Sequence, residues 1–205
     1  MRVVRFWPLA AGLLLLAGLW LGPLPGMARR AFSPHMILHL GVMVVAAPLI
    51  VIGLMRLSPP DLVPRFRYLG AFAASVFDFA VVWGWHVPAL HEAAARLDPG
   101  FALQQLSFLA AGLWLWWICL AGRDAGSGAA GAFAMLFASM HMAMLGVLLV
   151  LAPVLVYAPQ FCLGAFGLDP LQDQQFGGGL MALFGALPYV AGGAYLASRL
   201  TVQEA

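Results

Sequence analysis

"SPHMILHLGVMVVAAPLIVIG", Ser33 to Gly53, decides how the rest of the chain is read. From Met36 onward it is almost wholly apolar and approaches the roughly 20 residues that cross a bilayer. Yet it opens with His35 and His39, four residues apart. On an ideal helix, residues 35, 36, 39 and 43 fall within an arc of about 100°. Two imidazoles and the thioethers of Met36 and Met43 can therefore face one place. A metal ion, a haem or a plain helix contact would each account for such a face.

The flanking sequence says which solvent the stretch was built for. Of 205 residues, 63% are hydrophobic and only 9% charged, against roughly a quarter charged in soluble domains. A soluble core of this size could not hide so much apolar surface, so an all-α, polytopic transmembrane bundle is expected. Six apolar stretches fit spans, near 6–22, 34–55, 69–90, 101–121, 131–158 and 175–198. Turn and breaker residues separate them: "GPLPG" at 22–26, "SPP" at 58–60, "DPG" at 98–100, "GSG" at 126–128 and "DPLQDQQ" at 169–175. No repeat divides the chain, so residues 1–205 read as one membrane domain.

All ten basic residues are arginine. With the N-terminus inside, Arg2, Arg5, Arg56, Arg65, Arg67, Arg123 and Arg199 are cytoplasmic, while Arg29, Arg30 and Arg96 lie outside. That bias favours both termini in the cytoplasm. "MRVVRF" and the leucines after it also resemble a signal peptide; cleavage near Gly26–Ala28 would leave five spans with the same orientation. A net charge of +2 gives no basis for nucleic-acid binding. Cys119 and Cys162 fall on opposite membrane faces in this topology, too far apart for a disulfide, and Cys162 is expected to be reachable from outside.

Ionisable groups at membrane depth are costly and are functional candidates by default. His35 and His39 open span 2, His86 ends span 3 in "WGWHVPAL", Gln105 begins span 4 in "ALQQLSFL", and Asp173 and Gln174 enter span 6. Four helices thus bring polar groups to one outer layer. Asp78 and His141 lie deeper, each roughly 14–15 Å from its cytoplasmic end. Asp78 shares a face with Ala71, Ala74 and Ser75, and His141 with Ala134 and Ala138. Small residues mark close helix packing, so both groups are expected to point into the bundle, where depth alone allows an Asp78–His141 pair. Asp78 is expected to serve stability or proton handling more than copper, while His141 stays among the metal candidates with His35, Met36, His39 and His86.

Imidazole with thioether suits copper, above all Cu(I), better than hard oxygen-seeking ions. A bis-histidine haem between His39 and His86 or His141 is the rival. A copper or small-solute permease, with Asp78 and His141 as relay, is another. No phosphate loop, nucleophile triad or H-E-x-x-H motif points to an enzyme. The glycines of "FGGGL" at 176–180 suit close helix packing.

Taken in order, "SPHMILHLGVMVVAAPLIVIG", "VVWGWHVPAL", "ALQQLSFLAAGLWLWW", "MHMAMLGVLLVLAPVLVY" and "LDPLQDQQFGGGLM" resemble the motifs of the CtaG family of cytochrome c oxidase assembly factors. The likeness runs from about residue 30 to 185. It implies a non-enzymatic protein of the bacterial cell (inner) membrane that helps mature a haem-copper oxidase by handling copper. Oxidase subunits, the lipid bilayer and an extracytoplasmic copper chaperone are the partners it implies. By position it marks His35, Met36, His39, His86, Pro88, His141, Asp173 and Gln174. Two departures stand out: Gln105 takes the place of a usual family histidine, and Ala182 that of an aromatic. Glutamine is a poor Cu(I) ligand, so a four-histidine outer site is not expected.

Overall fold

The computed structural model describes residues 3–57, 67–122 and 124–203, and every regular element among them is helical. The "SPP" turn and Arg2, Arg65 and Arg123 lie outside the described residues. In chain order the elements are α1 (Val3–Leu21), α2 (Leu24–Ala28), α3 (Phe32–Leu40), a π-helical turn (Gly41–Ala46), α4 (Ala47–Leu57), α5 (Arg67–His86), α6 (Pro88–Arg96), α7 (Asp98–Ala121) and α8 (Ala125–Leu151). A short 3₁₀ turn (Pro159–Phe161) follows, then α9 (Pro170–Leu180), a second π-helical turn (Met181–Gly185) and α10 (Leu187–Gln203).

Four continuous stretches among the described residues are long and apolar enough to cross a membrane: Phe32–Leu57, Asp98–Ala121, Ala125–Leu151 and Pro170–Leu200. A fifth is the pair Gly70–His86 and Pro88–Arg96, bent by 75°, and Phe6–Leu21 is a shorter apolar helix. Leu14, Phe72, Phe133 and Leu151 are each at least 66% exposed, on surfaces that lipid suits and water does not. The molecule is a multi-pass helical membrane bundle.

Prolines redraw two of the expected outlines. A residue before proline avoids the α region. Val87 accordingly is extended (φ −64°, ψ 127°), and Pro88 starts a new helix where a span running to residue 90 was expected. Ala152, before Pro153, is extended as well, so α8 stops at Leu151 and not near 158. The chain from Ala152 to Asp169 then crosses the end of the bundle before α9. Asp169 starts that helix with a reciprocal capping box to Gln172, earlier than residue 175.

Inside the bundle, α8 packs against α10, α9, α5 and α7, α3 lies on α9, and α1 runs along α4. The small-residue faces inferred from sequence are the buried ones: Ala71, Ala74, Ser75 and Asp78 on α5, and Ala134, Ala138 and His141 on α8. At the α8–α9 crossing, a Cβ on Gly146 would stand 2.6 Å from the Gly178 carbonyl oxygen, so only glycine permits that approach. Gly177 similarly leaves room for the Phe32 ring.

Candidate functional site: a buried imidazole cluster

Four imidazoles meet at the end of the bundle where α3 begins. His35 and His39 come from α3, His86 from the last residue of α5, and His91 from α6. Ring centroids are 5.7 Å apart for His35–His39, 5.6 Å for His35–His86, 4.7 Å for His35–His91 and 5.3 Å for His39–His86. All four residues are buried. Phe108 of α7 stacks on His39 at 4.7 Å and forms the floor. Phe32 and Tyr157, themselves stacked at 4.9 Å, form the roof, and Tyr157 also lies 4.4 Å from the His91 ring.

The hydrogen bonds leave this cluster unfinished. His86 Nδ1 lies 2.6 Å from the Val82 carbonyl oxygen. A carbonyl can only accept, so Nδ1 carries the proton and Nε2 keeps its lone pair. His86 Nε2 has no partner, nor do His35 Nε2, His91 Nδ1 or either nitrogen of His39. An unsatisfied buried polar group costs about 1–3 kcal/mol, and here five such nitrogens share one compartment. The donors do not yet converge: among the described residues, no group of three or more His, Cys, Asp or Glu is arranged to hold a metal ion.

Sequence reasoning missed His91. On a continuous helix His86 and His91 lie about 140° apart and face different neighbours. The break at Val87–Pro88 turns α6 back and brings both rings to His35. The signal available was the proline in "HVPALHE". With His91 present, four imidazoles gather although residue 105 is glutamine, which corrects the expectation that a four-histidine layer is lost.

The remaining candidates sit elsewhere. Met36 is fully buried and packs toward Gly177 of α9. Gln105 donates weakly to Gln104 Oε1 at 3.4 Å and borders a cleft of about 280 Å³ with Trp20 and Phe101. Asp173 is committed to backbone: its carboxylate accepts from Phe32 N at 2.6 Å, from Ser33 N and from the Ser33 hydroxyl. It thereby caps α3 from a neighbouring helix, with an anion at a helix N-terminus. Gln174 accepts from Val156 N at 2.7 Å and donates to Val154 O at 3.3 Å. Gln175 reaches Ala152 O, Glu92 accepts from Ala158 N, and Leu163 N donates to Arg30 O. These bonds lay the 152–169 loop across the cluster, and Tyr157 fastens it by donating to the His86 carbonyl at 3.1 Å.

His141 is not part of the cluster. Its Nε2 lies 3.0 Å from Asp78 Oδ2, and its ring rests against Phe79 and Phe137. The pair that depth allows is therefore formed, with Asp78 Oδ1 and His141 Nδ1 left unpartnered. One turn of another helix departs from the ideal projection too: the π turn after Leu40 alters the register that grouped Met43 with the histidines. The Met43 carbonyl receives the Trp116 indole N–H at 3.1 Å. Cys162, expected to be reachable, is fully buried with its Sγ 3.6 Å from the Pro170 carbonyl oxygen. Both cysteines are free thiols.

Fold and site together define a multi-pass helical membrane protein with a buried imidazole compartment at one end. The family model described as cytochrome c oxidase caa3 assembly factor (Caa3_CtaG) matches residues 1–203. The chain belongs to that family. No curated protein and no solved structure matches it.

Proposed function

We propose that this oxidase assembly factor carries copper, as Cu(I), in the cluster of His35, His39, His86 and His91 on behalf of the maturing oxidase. The observation that carries the reading is the set of five unpartnered imidazole nitrogens in one buried compartment. Neutral imidazole is a good ligand for copper. Imidazoles bound to one small ion at about 2 Å hold their ring centroids roughly 5–6 Å apart, and four of the six ring pairs here are spaced from 4.7 to 5.7 Å. Convergence on an ion requires the unpartnered nitrogens to turn toward one point. Copper here is cargo, and the protein's task is to hold and release it; no catalytic step is assigned.

The arginine distribution supports placing this end on the outer face of the bacterial cell membrane, where oxidase subunits and an extracytoplasmic copper chaperone meet it. Bis-histidine haem fits less well, because Phe32, Tyr157 and Phe108 occupy the space beside the rings. His141 and Asp78 serve the bundle interior in this reading and not the cargo.

The test is an anaerobic Cu(I) titration of detergent-purified protein against a competing chelator, with a visible spectrum of the same sample. One Cu(I) per chain is expected, with at least tenfold weaker binding in His39→Ala and in His91→Ala, and oxidase activity in cells partly restored by added copper. Unchanged binding in the His39→Ala/His91→Ala double variant, or a Soret band in place of copper, would overturn the proposal.

A further inference from the structure

Asp173 and Asp78 are both wholly buried, yet their surroundings differ. Asp173 receives the Phe32 and Ser33 amides and the Ser33 hydroxyl, enough donors to satisfy a carboxylate. Asp78 has one partner, His141 Nε2 at 3.0 Å from Oδ2, and its Oδ1 has none. It sits in the middle of α5, about 12 Å along the helix from His86, where a charge must be neutralised. The pair can meet that demand in two ways. As an ion pair, carboxylate and imidazolium are both stripped of water, and the imidazolium carries a second N–H at Nδ1, which has no partner. The rings of Phe79 and Phe137 beside it, at 5.4 and 5.5 Å, offer only weak π acceptors. As carboxylic acid and neutral imidazole, the pair keeps its hydrogen bond and buries no charge. Among the described residues, Tyr189 of α10 and Cys119 of α7 are the titratable groups within electrostatic reach of Asp78 besides His141, and neither can supply a positive charge. Tyr189 is fully buried, stacked on Trp116, with its hydroxyl unpartnered. One interior thus holds an unused donor and an unused acceptor.

We propose that Asp78 and His141 form a resident-proton site: Asp78 is a neutral acid whose O–H donates to His141 Nε2, and the Tyr189 hydroxyl donates to Asp78 Oδ1, directly or through one internal water. An aspartate in water near neutral pH carries no such proton. The proton is therefore a ligand of the closed bundle, joining α5, α8 and α10 without a charge. It is stored and not passed on. A relay needs polar groups that lead to a surface. One turn away, a cleft of about 300 Å³ between α5 and α8 is walled by Ala71, Phe72, Ala134 and Phe137, with Ser75 the one polar residue among those described. The Ser75 hydroxyl is already given to the Ala71 carbonyl at 2.9 Å.

The experiment is infrared spectroscopy of the detergent-purified chain near neutral pH, with its aspartates isotope-labelled at the side-chain carboxyl. One protonated-carboxyl band that moves with the label is expected in wild type. It should vanish in Asp78→Asn and remain in Asp98→Asn, whose side chain is exposed. Tyr189→Phe should keep the band and raise its frequency, because the acid carbonyl loses its donor. In heavy water the band should shift slowly, as a stored proton exchanges. One equivalent of Cu(I) should leave it unchanged, which separates this site from the imidazole cluster. The labelled wild type needs no variant to fold, so a spectrum with aspartate carboxylates and no acid band would by itself overturn the proposal. A band that Tyr189→Phe leaves unmoved, a shift complete on mixing with heavy water, or loss of the band to Cu(I) would each overturn it as well.

Discussion

Asp173 shows how a single carboxylate can govern a site it never touches. Three donors at the start of α3 converge on it, and it is fully buried. Asp173→Ala would strand the Phe32 and Ser33 amides one turn above His35. Charged hydrogen bonds of this kind contribute about 1.5–3 kcal/mol each, with strong non-additivity. We expect Asp173→Ala to lower the melting temperature of the purified protein by several degrees and to weaken Cu(I) binding, with Asp173→Asn intermediate. A variant that melts like wild type would show the cap to be dispensable. Sequence reasoning marked Asp173 and Gln174 as polar groups in the right layer, because position along a span can be read from hydropathy. Their bonds to the Phe32, Ser33 and Val156 backbone could not be read, since they join segments up to 141 residues apart. The Asp78–His141 pair was legible because depth and small-residue faces suffice to match two helices. His91 was not, because helical periodicity fails at the proline that brings it in.

The 152–169 loop is the element on which access to the imidazoles turns. It has little regular structure of its own and is held by side chains of Gln174, Gln175 and Glu92. Cys162 reports on its integrity. Burial, and secondarily the Asp173 carboxylate, push its thiol up to about 11. Thiolate is the reactive form, so labelling is suppressed at neutral pH and rises about tenfold per unit as pH climbs toward that value. In a Cys119→Ser background, a maleimide at pH 7.5 should react with Cys162 far more slowly than with the unfolded chain. Gln174→Ala, which releases Val154 and Val156, should accelerate it. Fast labelling of the wild-type loop at neutral pH would mean that the roof stands open. The loop was invisible in the sequence because "LAPVLVYAP" is as apolar as a span, and only the pre-proline conformations at Ala152 and Ala158 end the helix.

At the scale of the whole molecule, the two ends differ in kind. One carries Arg56 and Arg199 over an apolar cleft; the other carries the roofed imidazoles, rimmed by Arg29 paired with Asp98 at 2.6 Å and Arg96 near Glu92. In the orientation proposed from the arginine count, the first end faces the cytoplasm. Phe166, 60% exposed on the loop, offers a probe: Phe166→Cys in a Cys119→Ser/Cys162→Ser background should be labelled on intact cells by an impermeant maleimide. Labelling only after lysis would invert the orientation and put the imidazoles on the cytoplasmic side. Of the six expected spans, four or five are long and apolar enough among the described residues. The multi-pass helical class and the small-residue packing faces were legible from composition because lipid imposes long apolar runs and small contact faces. The bend of 75° and the two π turns were not, since each is a local departure from the period on which such reading depends.

On the proposed copper reading, the stacked Phe32 and Tyr157, latched by the bond from Tyr157 to the His86 carbonyl, would separate how tightly the compartment holds from how fast it exchanges. Affinity belongs to the nitrogens beneath; dwell time belongs to the latch. Tyr157→Phe removes the latch and leaves every nitrogen in place, so the same equilibrium would be reached with a shorter residence. If the compartment carries copper as proposed, such a carrier would hand over its contents on encounter, when a docking partner lifts the loop, and would not leak them between encounters.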